Sequence, residues 1–262
     1  MITRTIQELR ARLATREAIG LVPTMGALHE GHLSLIGRAR EDCRTVVVSI
    51  FVNPIQFNQQ EDYALYPRTL EEDALVCREA GVDLIFAPTE QEMYPAAMST
   101  FVEVPSVSER LCGYYRPGHF KGVATVVMKL LQIVGSERAY FGQKDVQQLA
   151  VIRRMVRDLN VPVEIVPVAT VREPDGLAMS SRNQRLTAEE RRIAPMLYQA
   201  LKIAAREGAE EARRFLAYEP RIRLEYLEIV DPLEMQPTTG SPAVIAIAAW
   251  IGSVRLIDNF QL

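Results

Sequence analysis

The sequence predicts an α/β fold, a doubly wound parallel sheet with a smaller α+β C-terminal domain. Three observations point there. Strand-like and helix-like runs alternate through the first two-thirds of the chain. The run TVVVSIFV at residues 45–52 is β-branched without polar alternation, as strands buried on both faces of a parallel sheet are. After residue 171 the pattern changes to helix first, then short strands. Parallel neighbours need crossover helices, so the alternation itself implies a parallel sheet.

In order, residues 19–23 read as a short apolar strand, 24–31 as a glycine-containing turn and 32–42 as a helix. The buried second strand at 45–52 follows. Residues 70–80 then predict a helix, 82–87 a third strand and 101–104 a short extra strand. An apolar helix is expected over 123–134, a strand over 138–141, a helix over 146–159 and a strand over 163–171. The domain boundary is placed near residue 175, giving units 1–175 and 176–262. In the second unit, Thr187-Ala-Glu-Glu190 is a capping-box pattern opening a helix to about Arg206. A charged stretch at 207–214 and strands at 223–230, 243–247 and 253–259 complete it.

Composition narrows the function classes. With 262 residues, 48% hydrophobic and 24% charged, the chain can bury a sizeable core. A net charge of −3 gives no global attraction to nucleic acid or to an anionic membrane, so an anionic substrate needs a local basic site. Cys43, Cys77 and Cys112 are odd in number and form no CxxC, which reads as reduced thiols in a cytoplasmic protein. The basic, amphipathic N-terminus lacks the apolar core of a signal peptide, and no segment approaches the ~18–20 apolar residues of a membrane span.

The chemistry concentrates in five stretches. Pro23-Thr-Met-Gly-Ala-Leu-His29-Glu-Gly-His32 joins the first strand to the first helix. Helix N-terminal amides suit phosphate, glycine lets the backbone approach it, and imidazoles can donate to its oxygens. A metal-sharing histidine pair or two solvated turn histidines are the alternatives. Met179-Ser-Ser-Arg182 gathers hydroxyls and a guanidinium, donors for phosphate oxygens; alone it is an ordinary surface turn. In Gly142-Gln143-Lys144-Asp145, glycine permits close approach and Lys144 offers a point charge. Asp145 there can cap the helix or hold a ribose hydroxyl or Mg²⁺. One of Gln147 and Gln148 can read a hydroxy acid. Asn53-Pro-Ile-Gln56 puts an amide pair on a Pro-fixed loop after the second strand. Arg116-Pro-Gly-His119-Phe-Lys121-Gly122 is a basic glycine loop that can contact substrate or phosphate, form a dimer contact, or be a solvated turn.

Taken together, PTMGALHEGH, SIFVNPIQF, YPRT, RPGHFKGVATVV, FGQKDVQQL, LAMSSRN and RLIDN resemble the pantoate–β-alanine ligase family, in the same order along nearly the whole chain. The resemblance implies a Rossmann-like sheet of the HUP type and an AMP-forming ligase that condenses pantoate with β-alanine through a pantoyl-adenylate, releasing pyrophosphate and AMP. It implies an ATP site lined by Met25, Gly26, Ala27, Leu28, His29, Glu30, Gly31 and His32. Gly142, Gln143, Lys144, Asp145, Val171, Met179, Ser180, Ser181 and Arg182 complete that site. His32, His29, Lys144 and Arg182 are the implied catalytic set, with His32 as proton donor. Gln56 and Gln148 are implied to hold pantoate, Gln56 also lying near β-alanine, with Asn53 beside them. Asp73 and Glu72 are implied neighbours of Mg²⁺. The family implies a cytoplasmic homodimer, to which the apolar helix and the RPGHF loop can contribute. Shielding of the acyl-adenylate from water implies that the C-terminal domain closes over the site.

The sequence departs from the family in two places. Gln143 stands where glutamate is common, removing a negative charge beside Lys144, and the segment 202–237 is short. The competing readings are a nucleotidylyltransferase that stops at a nucleotidyl-linked product, and a tRNA-binding relative of a synthetase. The net acidity and the lack of a basic arm argue against the second.

Overall fold

The computed structural model describes residues 1–58 and 60–262. Among the described residues, nine strands form two sheets. β1 (Ile2–Thr3), β2 (Ile19–Thr24), β3 (Thr45–Ile50), β4 (Leu84–Phe86), β5 (Arg138–Gly142) and β6 (Glu164–Val168) make an all-parallel sheet ordered β1-β4-β3-β2-β5-β6. β7 (Ile222–Val230), β8 (Val244–Ile251) and β9 (Val254–Gln261) make an antiparallel sheet in that order. A doubly wound parallel sheet with a smaller α+β C-terminal part is therefore the observed fold class.

The parallel strands are buried on both faces, and their residues alternate between two cores. Leu21, Val47, Leu84, Phe86, Ala139 and Phe141 face the helices Ile6–Leu13, His119–Val134 and Val146–Asp158. Val22, Val46, Val48, Ile85 and Tyr140 face the helices Glu30–Asp42 and Leu70–Glu79. This period-2 division of wholly apolar strands is what the unbroken run at 45–50 encodes.

β8 explains an antiparallel strand that reads VIAIAAWI. Ile245, Ile247, Ala249 and Ile251 pack on the helix Met196–Glu207, whereas Val244, Ala246 and Ala248 join the core of the large sheet. The smaller sheet is thus covered on both sides at its centre.

Several expectations need correction. Residues 101–104 form no strand; the Val102 amide instead donates to the Thr125 hydroxyl at 3.0 Å, tying the segment to a helix. The helix expected to run from Thr187 to Arg206 is two, Ala188–Ile193 and Met196–Glu207, interrupted where Pro195 has no amide to donate. The charged stretch at 207–214 folds as the helix Ala209–Ala217 after Gly208 (φ 96°), with Ala212 and Leu216 buried on its inner face. The apolar helix at 123–134 is a core helix, His119–Val134, most of whose residues are buried. Ile2–Thr3 and Ile6–Leu13 add a strand and a Thr5-capped helix where the sequence showed only amphipathicity.

Candidate active site

Because the large sheet is parallel, its strands release their loops at one edge. β2 leads into residues 25–29, β3 into 51–57, β5 into the 3-10 turn Gln143–Asp145 and β6 into 169–180. The strand order reverses direction between β2 and β5, and ligands of open α/β sheets bind at such a switch point. Four of the five motif stretches are therefore brought to one edge by topology alone.

The histidine spacing has a structural reason. His29 is the N-cap of the helix Glu30–Asp42; its Nδ1 accepts from the Gly31 amide at 3.1 Å, and His32 Nδ1 accepts from the His29 amide at 3.3 Å. The pair is a capping box built from imidazoles, with ring centroids 4.1 Å apart. An Nδ1 that accepts is unprotonated, so each neutral ring carries its proton on Nε2. Burial, then the Lys144 charge, lowers the His29 pKa to about 4. Burial, then His29 and Lys144, lowers that of His32 to about 3. Both rings are neutral Nε2–H donors at pH 7.

The turn ahead of them is held by Asp73. Gly26 (φ 81°) and Ala27 (φ 50°) lie in the left-handed region, and the Asp73 carboxylate accepts from the Ala27 amide at 3.0 Å and the Leu28 amide at 2.8 Å. The Thr69 hydroxyl donates to the same carboxylate at 3.1 Å, and Asp73 is buried. Its oxygens are engaged with the protein backbone. Glu72 beside it is exposed. Among the described residues no group of three or more His, Cys, Asp or Glu is arranged to hold a metal ion.

Across the switch point, Lys144 Nζ donates to the Met179 carbonyl at 3.3 Å and lies 3.8 Å from Asp145. Met179 in turn pairs through its amide with the Val171 carbonyl, closing a short hairpin at 171–179. Ser180 Oγ accepts from the Arg182 amide at 3.3 Å. Arg182 and Arg185 share one carboxylate, Asp62, at 3.1 and 2.9 Å; against the opposing effect of burial, they hold its carboxyl below the usual range. The C-terminal strand completes this side. Asn259 Nδ2 donates to the carbonyls of Gln143 (2.7 Å) and Lys144 (2.9 Å), and Asp258 makes a bidentate pair with Arg172 at 2.6 and 3.0 Å.

The glutamines divide their work. Gln147 is buried and spent on the backbone: its amide donates to the carbonyls of Val107 and Arg110, and its oxygen accepts from the Cys112 amide. Gln148 instead lines the cleft. Gln56 Nε2 contacts Met25 Sδ at 3.1 Å, and its side-chain oxygen accepts from Asn53 at 3.0 Å. Asn53 is buried, also donates to the Gly122 carbonyl and accepts from the Tyr94 hydroxyl, so it orients Gln56.

A cleft of about 610 Å³ takes Lys144, Asp145, Gln148, Ser180 and Arg182 together, with Arg223, Tyr226 and Arg255 of the C-terminal sheet opposite them. Met25 and Gly26 line a separate hollow of about 220 Å³, and Gln56 one of about 240 Å³ that shares Asn58 and His119 with the cleft. Residues the sequence reading missed are Asp62, Arg185 and the Arg255–Glu225 pair at 2.7 Å. Only Arg255, inside the RLIDN motif, carried any signal.

The pantoate-beta-alanine ligase family model matches residues 1–261. A pantothenate synthetase of Thermotoga petrophila is 50% identical over 98% of each chain. The crystal structure of a pantothenate synthetase from Thermus thermophilus superposes with a TM-score of 0.95 at 49% identity, covering 99% of this chain and 98% of that one. A pantoate-beta-alanine ligase from Francisella tularensis, solved with beta-gamma ATP and beta-alanine, gives 0.87 at 37% identity, covering 100% and 97%. The chain belongs to the pantoate–β-alanine ligase family.

Proposed function

We propose that the protein is the ATP-dependent ligase that joins pantoate to β-alanine through a pantoyl-adenylate. The observation that carries this is the convergence, at one sheet edge, of imidazole Nε2–H donors, Lys144 and Arg182 with the amide side chains of Gln56, oriented by Asn53, and Gln148. The cations and donors suit a triphosphate; the amides suit a neutral, hydroxyl-bearing acid.

In the first step a pantoate carboxylate oxygen attacks the α-phosphorus. The new P–O bond forms as the bond to the β-phosphate oxygen breaks, and pyrophosphate leaves with the electron pair. Two anions must approach, so the protein's task is positioning and charge neutralisation. His29 and His32 donate from Nε2 to phosphate oxygens as neutral rings. Lys144 neutralises charge beside them, and Arg182 exchanges Asp62 for phosphate. Gln56 and Gln148 hold the acid in line. Met25 to His32 and Val171 to Arg182 enclose the nucleotide. Asp145 is the carboxylate that would hold a magnesium ion accompanying ATP, which would offset phosphate charge there. In the second step the neutral β-alanine nitrogen attacks the acyl carbon, the C–O bond to AMP breaks, and the nitrogen releases its proton to the departing phosphate or to water.

The 176–262 unit, whose sheet forms the far wall of the cleft, closes over the adenylate; unchanged compactness by scattering with and without ATP and pantoate would count against this. A cytoplasmic homodimer is the expected form, tested by light scattering. The primary test is pantoate-dependent exchange of label between pyrophosphate and ATP without β-alanine, followed by AMP and pantothenate release with it. Exchange that ignores pantoate would sink the proposal; release that ignores β-alanine would favour a nucleotidylyltransferase.

A further inference from the structure

Among the described residues, Arg116 is a half-buried cation of the cleft to which the adenylation chemistry gives no role. Arg182 and Arg185 are paired with Asp62, and Arg255 with Glu225. Arg223 is exposed and stacks on Trp250 at 5.3 Å. Arg116 is half-buried, lines the same cleft, and makes no ion pair among the described residues. Its side-chain contacts are to neutral acceptors, His119 Nε2 at 3.1 Å and the Gln56 carbonyl at 3.5 Å. A guanidinium has five donors in a planar fork, so several remain for a planar anion.

His119 holds that guanidinium in place. It is buried, and its Nδ1 donates to the Gln56 carbonyl at 2.8 Å, which leaves Nε2 with a lone pair to accept from Arg116. Burial, then the charge of Arg116, lowers its pKa to about 3, so the ring stays neutral and the arrangement holds across ordinary pH.

Position selects the ligand. The Gln56 side chain touches Met25 of the histidine loop, while its backbone carbonyl carries His119 and Arg116. Arg116 therefore lies at the backbone side of Gln56, away from the Met25 contact, in the cleft that also takes Arg182. Of the anions the reaction brings in, phosphates meet Lys144, Arg182 and the imidazoles, and the pantoate carboxylate is consumed at phosphorus. The carboxylate of the amine acceptor is the anion left over.

We infer that Arg116, positioned by His119, binds the carboxylate of the acceptor and makes the second step select an amino acid over a plain amine. The inference rests on the ligase reading above. The test compares β-alanine with propylamine, the same three-carbon chain with a methyl group in place of the carboxylate, in the whole protein with ATP and pantoate. Loss of a charge-assisted pair raises KM for β-alanine roughly 10- to 150-fold in Arg116→Met. Propylamine turnover and pantoate-dependent exchange stay within about twofold. His119→Phe raises KM for β-alanine, leaving propylamine turnover and kcat near the unaltered values. An unchanged KM for β-alanine, or a parallel loss with propylamine, overturns the assignment. Should Arg116→Met also lose exchange, Arg116→Gln, which removes the charge and keeps amide donors, decides: an unchanged ratio of β-alanine to propylamine overturns it. Absence of exchange in the unaltered protein would instead overturn the adenylation reading and this one with it.

Discussion

Replacing Asp73 separates a positioning carboxylate from a metal ligand. In the structure it accepts from the Ala27 and Leu28 amides and from the Thr69 hydroxyl, and thereby holds the left-handed turn that aims His29 and His32. Asp73→Ala leaves two partly buried amides without an acceptor, each costing about 1–3 kcal/mol. Solvent reaches part of this turn, so the low half of that range applies and the sum is about 2–4 kcal/mol. For a chain of this size that lowers Tm by about 4–16 °C. Asp73→Asn keeps one acceptor oxygen but turns an NH₂ toward an amide N–H, and recovers less than half of the loss. Thermal unfolding by circular dichroism, with pantoate-dependent exchange measured across ATP and Mg²⁺ concentrations, provides the readout. Lower Tm with a raised KM for ATP at unchanged Mg²⁺ dependence is expected. A Tm within 1 °C of the unaltered protein, combined with a raised Mg²⁺ requirement, would refute the reasoning and make Asp73 a metal ligand.

Other perturbations test neighbouring parts. Acid destabilises the fold through its histidines: folded pKa values near 4, 3 and 3 for His29, His32 and His119 lie below the ordinary 6.5. Their contribution is therefore fully present above about pH 6.5 and is lost as pH falls toward 4. Three such rings give a slope of up to about 4 kcal/mol per pH unit near pH 5, measurable as urea midpoints at pH 7.5, 6 and 5. For the same reason kcat/KM for ATP shows no acid limb near pH 6.5; a limb there that vanishes in His32→Asn would contradict the neutral-donor assignment. Gln147→Ala strands the Cys112 amide and two carbonyls and lowers stability by about 2–4 kcal/mol. Gln148→Ala leaves Tm alone and raises KM for pantoate about 10-fold or more; the reverse pattern would exchange their roles. Gly122→Ala drives a methyl group to 2.5 Å from the Ile55 carbonyl and 2.7 Å from the Gln56 amide, both backbone, and so displaces Gln56. Loss of most ligase activity with a stability drop of about 1–3 kcal/mol is expected, and unchanged pantoate kinetics would argue against Gln56 as the acid's partner.

Most of the fold was legible because buried strands announce themselves through composition. The 45–50 run and the alternation with helices suffice for a parallel sheet, and a parallel sheet by itself sends its loops to one edge. Residues 101–104 misled because an extended apolar segment looks alike whether it pairs with a strand or hangs on a threonine hydroxyl. The charged helix Ala209–Ala217 was hidden because Ala212 and Leu216 make an inner face too narrow to stand out. Within the site, residue type was visible and orientation was not. Gln147 and Gln148 are identical in the sequence, yet helix geometry turns one into the backbone and the other into the cleft. Asp73 could be recognised as an acid near the site, but its bonds to amides 45 and 46 residues away depend on the packing of two helices. Asp62 and Arg185 had no motif to mark them, since a salt bridge between distant positions leaves no trace in local spacing.

The last strand has a consequence for how the chain can be divided. Asn259 supplies donors to the carbonyls that flank Lys144, Asp258 clamps Arg172, and Val244, Ala246 and Ala248 complete the core of the large sheet. A fragment ending at residue 175 would keep every strand of the nucleotide edge and still lack the struts that set its lysine. It would also present an apolar scar where β8 had lain. The two units are separable on paper but share one framework, so the turn at 143–145 is set only once the strand Val254–Gln261 is in place.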